Sequence, residues 1–114
     1  MTIQYKNQGF NLNTTDTVSI LTANSTSVVL IKQIQASNGS SAGALSVVTQ
    51  VTDATAAVTY RIGNQSIAAS STTDIITQTL VLESSDILKM TCGTKDEIQG
   101  IVSYALINRE NQNG

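Results

Sequence analysis

The chain has no histidine, no proline and no tryptophan, a single cysteine, and four aromatic residues in 114. Each shortage closes off a class of chemistry. Without histidine it lacks the commonest general base near neutral pH and the commonest metal ligand, and neither a Ser-His-Asp nor a Cys-His nucleophilic scheme can be assembled. A lone cysteine cannot form an internal disulfide, which points to synthesis in a reducing compartment. Charge is scarce as well: 12% of residues are charged, about half the share usual in globular chains. The formal net charge of −2 leaves no basic surplus to neutralise phosphates, which argues against a nucleic-acid partner. No apolar run approaches the roughly 18 residues of a membrane-spanning helix. The start, MTIQYKNQGF, lacks a basic segment followed by an apolar stretch, so no signal peptide is expected. The N-x-S/T matches at Asn13, Asn24, Asn38 and Asn64 then read as chance rather than as glycosylation sites.

What the chain has in abundance is uncharged polarity. Thr (16), Ser (13), Asn (9) and Gln (9) make up 47 residues. Thr suits pleated strands, whereas Ser and Asn favour turns and compete with helical backbone bonds. The apolar residues recur with a period of two. Leu45, Val47, Thr49 and Val51 align on one face, as do Val58, Tyr60 and Ile62, then Leu88, Met90 and Cys92, then Ile98, Val102, Tyr104 and Leu106. In VVLIKQIQAS, simple alternation puts Leu30, Lys32, Ile34 and Ala36 on one side and Val29, Ile31, Gln33 and Gln35 on the other. After SSTT, Ile76, Leu80 and Leu82 fall on one side, with Gln78 between them. Turn clusters fall at NSTS, NGSSAG, GNQ and SSD, and Asn38–Gly39 suits a type I′ turn. The stretch Thr79–Ile107 reads as a three-strand meander, TLVLES, DILKMTCG and EIQGIVSYALI.

Short strands at this spacing predict an all-β fold, an antiparallel β-sandwich of jelly-roll or immunoglobulin-like type with about seven or eight strands. The length fits one domain. Residues 1–14 are expected to be an N-terminal arm or edge strand, 15–108 the sandwich, and 109–114 a C-terminal tail.

Candidates for chemistry are few. Cys92 shares the apolar face of Leu88 and Met90 and reads as a small buried hydrophobe. Asp96 and Glu97 are adjacent, so in a strand they would face opposite sides and make a poor glycosidase pair. Asp16, Asp53, Asp74 and Asp86 lie at strand starts or turns; no D-x-D-x-D-G series supports calcium, and turn capping explains them better. No phosphate-loop pattern occurs. The sequence thus implies no catalytic residue, no metal site and no cofactor.

The edges point toward assembly. Natural sheets blunt exposed edges with Lys, Pro or bulges, and this chain has four Lys and no Pro. Uncharged polar surface can form wide, wet contacts without the cost of burying ions. A homo-oligomer, dimer or trimer, is expected, with other proteins as partners. The residues selected for such contacts are Tyr5 and Phe10, two of the few aromatics, and the loop candidates Asn38 and Asn64.

Several segments resemble a known family. TDTVSILTANSTSVVLIKQIQASN, then TLVLESSDILKMTCG, then IVSYALI, are similar to small virion proteins of tailed bacteriophages, including those of cyanobacterial hosts. The likeness covers about Thr15 to Ile107. LESSDILK departs from the family's L-E-x-G-D form by Ser85 in the glycine position. The resemblance implies a β-sandwich located in the virion and made in the host cytoplasm. It implies a capsid cement or decoration protein that binds the major capsid protein and bridges capsomers. The alternative it leaves open is a neck, tail or fibre module that takes part in virion assembly or binds a host glycan. Tyr60 or Tyr104, if exposed, would favour the glycan reading.

Overall fold

The computed structural model describes residues 2–76 and 78–108; the expected tail, 109–114, lies outside them. Among these residues nine strands run in chain order: β1 (Thr2–Asn11), β2 (Val18–Thr22), β3 (Ser27–Asn38), β4 (Leu45–Asp53), β5 (Val58–Ile67), β6 (Ser71–Ile76), β7 (Leu80–Leu82), β8 (Ile87–Cys92) and β9 (Ile98–Asn108). They form two antiparallel sheets. The first has the order β1-β9-β3-β6, with β7 also on β3, and the second has the order β2-β8-β4-β5. The predicted all-β sandwich is the fold.

The pairings are nested. β4 pairs with its successor β5, β3 with β6 and β7, β2 with β8, and β1 with β9. This is one long antiparallel hairpin rolled upon itself, the jelly-roll topology, which decides between the two sandwich types expected. It also corrects the meander. β7, β8 and β9 alternate between the sheets, and none of the three pairs with another. Rolling the hairpin separates chain neighbours into opposite sheets, something that short-range alternation does not encode.

Ile76, Leu80 and Leu82 belong to two strands, β6 and β7, laid end to end on β3, and all three stand opposite core-side residues of it. β1 pairs with β9 from Thr2 to Asn11, along one edge of the first sheet. GNQ is no turn; Gly63, Asn64 and Gln65 lie inside β5. Asn38–Gly39 is no hairpin either, because β3 and β4 belong to different sheets and Gly39 has no positive φ.

The core lies between the sheets. Val29, Ile31, Ile34 and Ala36 of β3, Val47 and Val51 of β4, Leu88, Met90 and Cys92 of β8, and Ile98, Val102 and Tyr104 of β9 are buried there. Burying each large aliphatic chain contributes about 1.5–3 kcal/mol. In β3 the observed set differs from simple alternation. The register with β9 slips between Ile31 and Gln33, so Lys32 is an extra residue. A bulge of this kind reverses the facing of everything beyond it. Val29 and Ile31 therefore point inward before it, Ile34 and Ala36 after it, and the Lys32 ammonium stays in solvent.

One close approach depends on glycine. Gly100 of β9 stands between Phe10 and Ala36 in the ladder. A Cβ there would lie 2.6 Å from Phe10 Cζ and would collide with the Gln35 carbonyl oxygen. The absent side chain makes room for the ring of Phe10, which packs against the core.

Candidate interaction surface

The outward face of the first sheet is not uniform. Residues directly opposite in antiparallel strands share a face, so the registers define its rows. Ile3, Ile107 and Val28 form one row across β1, β9 and β3. Tyr5, Ala105, Leu30 and Val81 form the next, across β1, β9, β3 and β7. Beyond it come Asn7, Ser103 and Gln33, then Gly9, Ile101, Gln35 and Asp74. One end of the face is thus apolar and the other mostly polar. Tyr5 is 83% exposed, Ile3 51% and Val81 48%, while Val28, Leu30 and Ile107 are half-buried. A contiguous apolar patch that solvent can reach marks a contact site in a soluble protein.

The sequence carried a signal for this patch. VVLI at 28–31 and ALI at 105–107 are apolar without interruption. A strand that is apolar on both faces reads as covered on both. In β3 and β9 the inward members, Val29, Ile31 and Leu106, meet the core; of the outward members Ala105 is buried among its neighbours, and Val28, Leu30 and Ile107 are half-buried.

The four selected contact residues fall in different places. Tyr5 lies in the patch, on its β1 edge. Phe10 is half-buried over Gly100 and serves the fold. Asn38 is 1% exposed and is an anchor rather than a contact. Its Nδ2 donates to the Gly43 carbonyl at 3.1 Å and the Ile67 carbonyl at 3.0 Å, and its Oδ1 accepts from the Ser40 N–H at 2.9 Å. Those bonds hold the loop that crosses from one sheet to the other. Asn64 is exposed on β5, at the far edge of the second sheet. The structure does not bring Tyr5 and Asn64 together. Of the two tyrosines relevant to a glycan site, Tyr104 is buried and Tyr60 is exposed.

The aspartates act locally. Asp53 Oδ1 accepts from the Thr55 and Ala56 N–H groups, Asp74 Oδ1 accepts from Gln33 Nε2, and Asp16 bonds with Thr14. Asp86 is buried and ties two loops: Oδ1 accepts from the Ala54 N–H and Oδ2 from the Glu83 N–H, each at 3.0 Å. Among the described residues no three acidic or thiol groups converge on a possible metal position. Next to Asp86, Ser85 has φ 72°, the left-handed region. The turn keeps the conformation a glycine would take, although serine occupies it.

No protein-family model matches the chain, and no curated protein matches it. Among solved structures it is similar to a pentameric capsid protein isolated from metagenomic phage sequences, with 16% identity and a TM-score of 0.41 over 91% of this chain and 61% of that one. It is similar to the extra small virus VLP of the giant freshwater prawn Macrobrachium rosenbergii, with 12% identity and a TM-score of 0.49 over 92% and 77%. It is also similar to the CBM22-1-GH10 modules of Clostridium thermocellum xylanase 10B, with 8% identity and a TM-score of 0.41 over 78% and 18%. The chain thus spans about three fifths of the length of the phage capsid proteins it matches. At these scores the likenesses carry no argument about function.

Proposed function

We propose that the chain is a non-enzymatic structural protein of a tailed-phage particle, a cement or decoration protein that docks on the shell and bridges capsomers. Its partners are the major capsid protein and its own copies. The observation that carries this reading is the outward apolar patch of the first sheet, which runs from Tyr5 at the β1 edge through Leu30 to Val81, on a chain rich in uncharged polar residues. The segment resemblance to small tailed-phage virion proteins supports the virion setting, and the patch supplies a face for the shell. A sheet face that joins aliphatic and aromatic groups to a neighbouring row of amides, here Asn7 and Gln33, has the anatomy of a permanent protein contact.

Copy number in purified particles tests the reading. A cement protein is present in hundreds of copies, in proportion to the capsomers; a handful of copies would assign the chain to the neck, tail or fibre. The glycan alternative has one observation in its favour, the exposed ring of Tyr60 on β5, since sugars stack on aromatic faces. Binding on a glycan array that disappears in Tyr60→Ala would establish it in place of the cement role.

A further inference from the structure

Each sheet has two edges, and three of the four are guarded. β1 points Lys6 to the core side, where it stands opposite Tyr104. β2 has only five residues. The edge beyond β3 is divided between β6 and β7. Inward charges, shortness and interruption are devices that prevent edge-to-edge pairing. β5 differs from these. It is ten residues long, it ends the second sheet, it carries a single charge at Arg61, and it exposes Val58, Tyr60 and Ile62.

Its facing pattern has a two-fold symmetry. Opposite the core-side positions of β4 stand Val58, Tyr60, Gly63, Gln65 and Ile67; opposite the outward positions stand Thr59, Arg61, Asn64 and Ser66. The register slip beside Gln50 makes Ile62 an extra residue. Ile62 lines the groove between β5 and the β6–β7 edge, with Leu80, so it too lies on the core side. From Val58 to Ile67 the order is in, out, in, out, in, in, out, in, out, in. It reads the same in both directions, which is what a strand needs in order to pair antiparallel with its own copy with every side chain on the correct face.

We propose that two copies of the chain join along β5, about a two-fold axis between Ile62 and Gly63, and so fuse two four-stranded sheets into one of eight strands. Each residue then meets a compatible neighbour. Thr59 lies opposite the second copy's Ser66, Tyr60 opposite Gln65, Arg61 opposite Asn64, and Ile62 opposite Gly63. A Cβ at Gly63 would touch only the Thr49 side chain, at 3.7 Å and beyond, so the position leaves open space for the second copy's Ile62. The register that sets Arg61 against its own copy is excluded: it would place Val58, on the core side, opposite Asn64, which faces outward. The main-chain bonds of a strand pair supply the affinity, and the side-chain pairs fix the register.

This inference rests on the self-assembly part of the proposed function and on none of the shell contact. Sedimentation velocity of the full chain over a dilution series tests it. The expected species is a dimer. Asn64→Arg, at an exposed position, places like charges opposite each other twice across the axis and weakens the dimer by about tenfold or more. Asn64→Asp sets a carboxylate against Arg61 and tightens it by about threefold. Combining Asn64→Arg with Arg61→Glu restores it. A monomer at every concentration, or a dimer indifferent to Asn64→Arg, would overturn the proposal. A dimer from particles that carry only a few copies would leave it standing and remove the cement role instead.

Discussion

The two outward faces of the sandwich are made by the same chain with the same alternation, yet they differ in kind. On the second sheet the rows run Ser19, Lys89, Gln50, Arg61 and then Thr22, Ile87, Thr52, Thr59. That is a solvated face, with charge and hydroxyl groups in nearly every position and a hydroxyl pair at 2.8 Å between Thr52 and Thr59. On the first sheet the corresponding end is Ile3, Ile107 and Val28 beside Tyr5, Ala105, Leu30 and Val81. A free monomer gains nothing from such an asymmetry, since exposed apolar area costs solubility. Under the proposed function, the first-sheet face is the one covered in the particle.

Gly100→Val drives a branched side chain into Phe10 and the Gln35 carbonyl and so separates β9 from both of its neighbours. A loss of about 3 kcal/mol is expected in urea unfolding, with the apolar face disrupted first. A change within the face acts on docking and spares the fold. Tyr5→Asp together with Leu30→Lys is expected to weaken attachment to the shell by about a hundredfold, while Gln50→Lys on the solvated face alters it by less than about threefold. Pull-down of each variant with particles that lack the protein measures both.

Two smaller effects sharpen the contrast because they touch neither face. Asp86→Ala leaves the Ala54 and Glu83 N–H groups without an acceptor and is expected to cost about 2 kcal/mol in urea unfolding, with shell affinity unchanged for the folded fraction. Ser85→Gly relieves a left-handed serine at φ 72°. A serine there costs about 1–2 kcal/mol and a glycine loses part of that gain to chain entropy, so the melting midpoint should rise by the equivalent of about 0.5–1 kcal/mol.

Much of the fold was legible because alternation survives wherever the ladder is regular. β4, β8 and β9 place inward the residues that a period of two assigns there. The reading failed where one residue was inserted. Lys32 reverses the facing of β3, and a bulge has no composition signature when the residues on both sides are apolar or amide. It failed again at Asn38, whose place beside a glycine resembles a turn but whose amide is buried and triply bonded. Tyr5 could be chosen from its type alone. Its companions could not, because Ile3, Leu30 and Val81 come together only through register across four strands, and register is a long-range property.

Which face is covered in the particle decides between the cement role and its alternatives. A reconstruction of the native particle measures this directly. The prediction is that the outward face of the first sheet, at Ile3, Tyr5, Leu30 and Val81, lies against the shell and the face bearing Lys89, Gln50 and Arg61 is turned to solvent. Density that seats the Lys89 face on the shell, or leaves Tyr5 open to solvent, would contradict it.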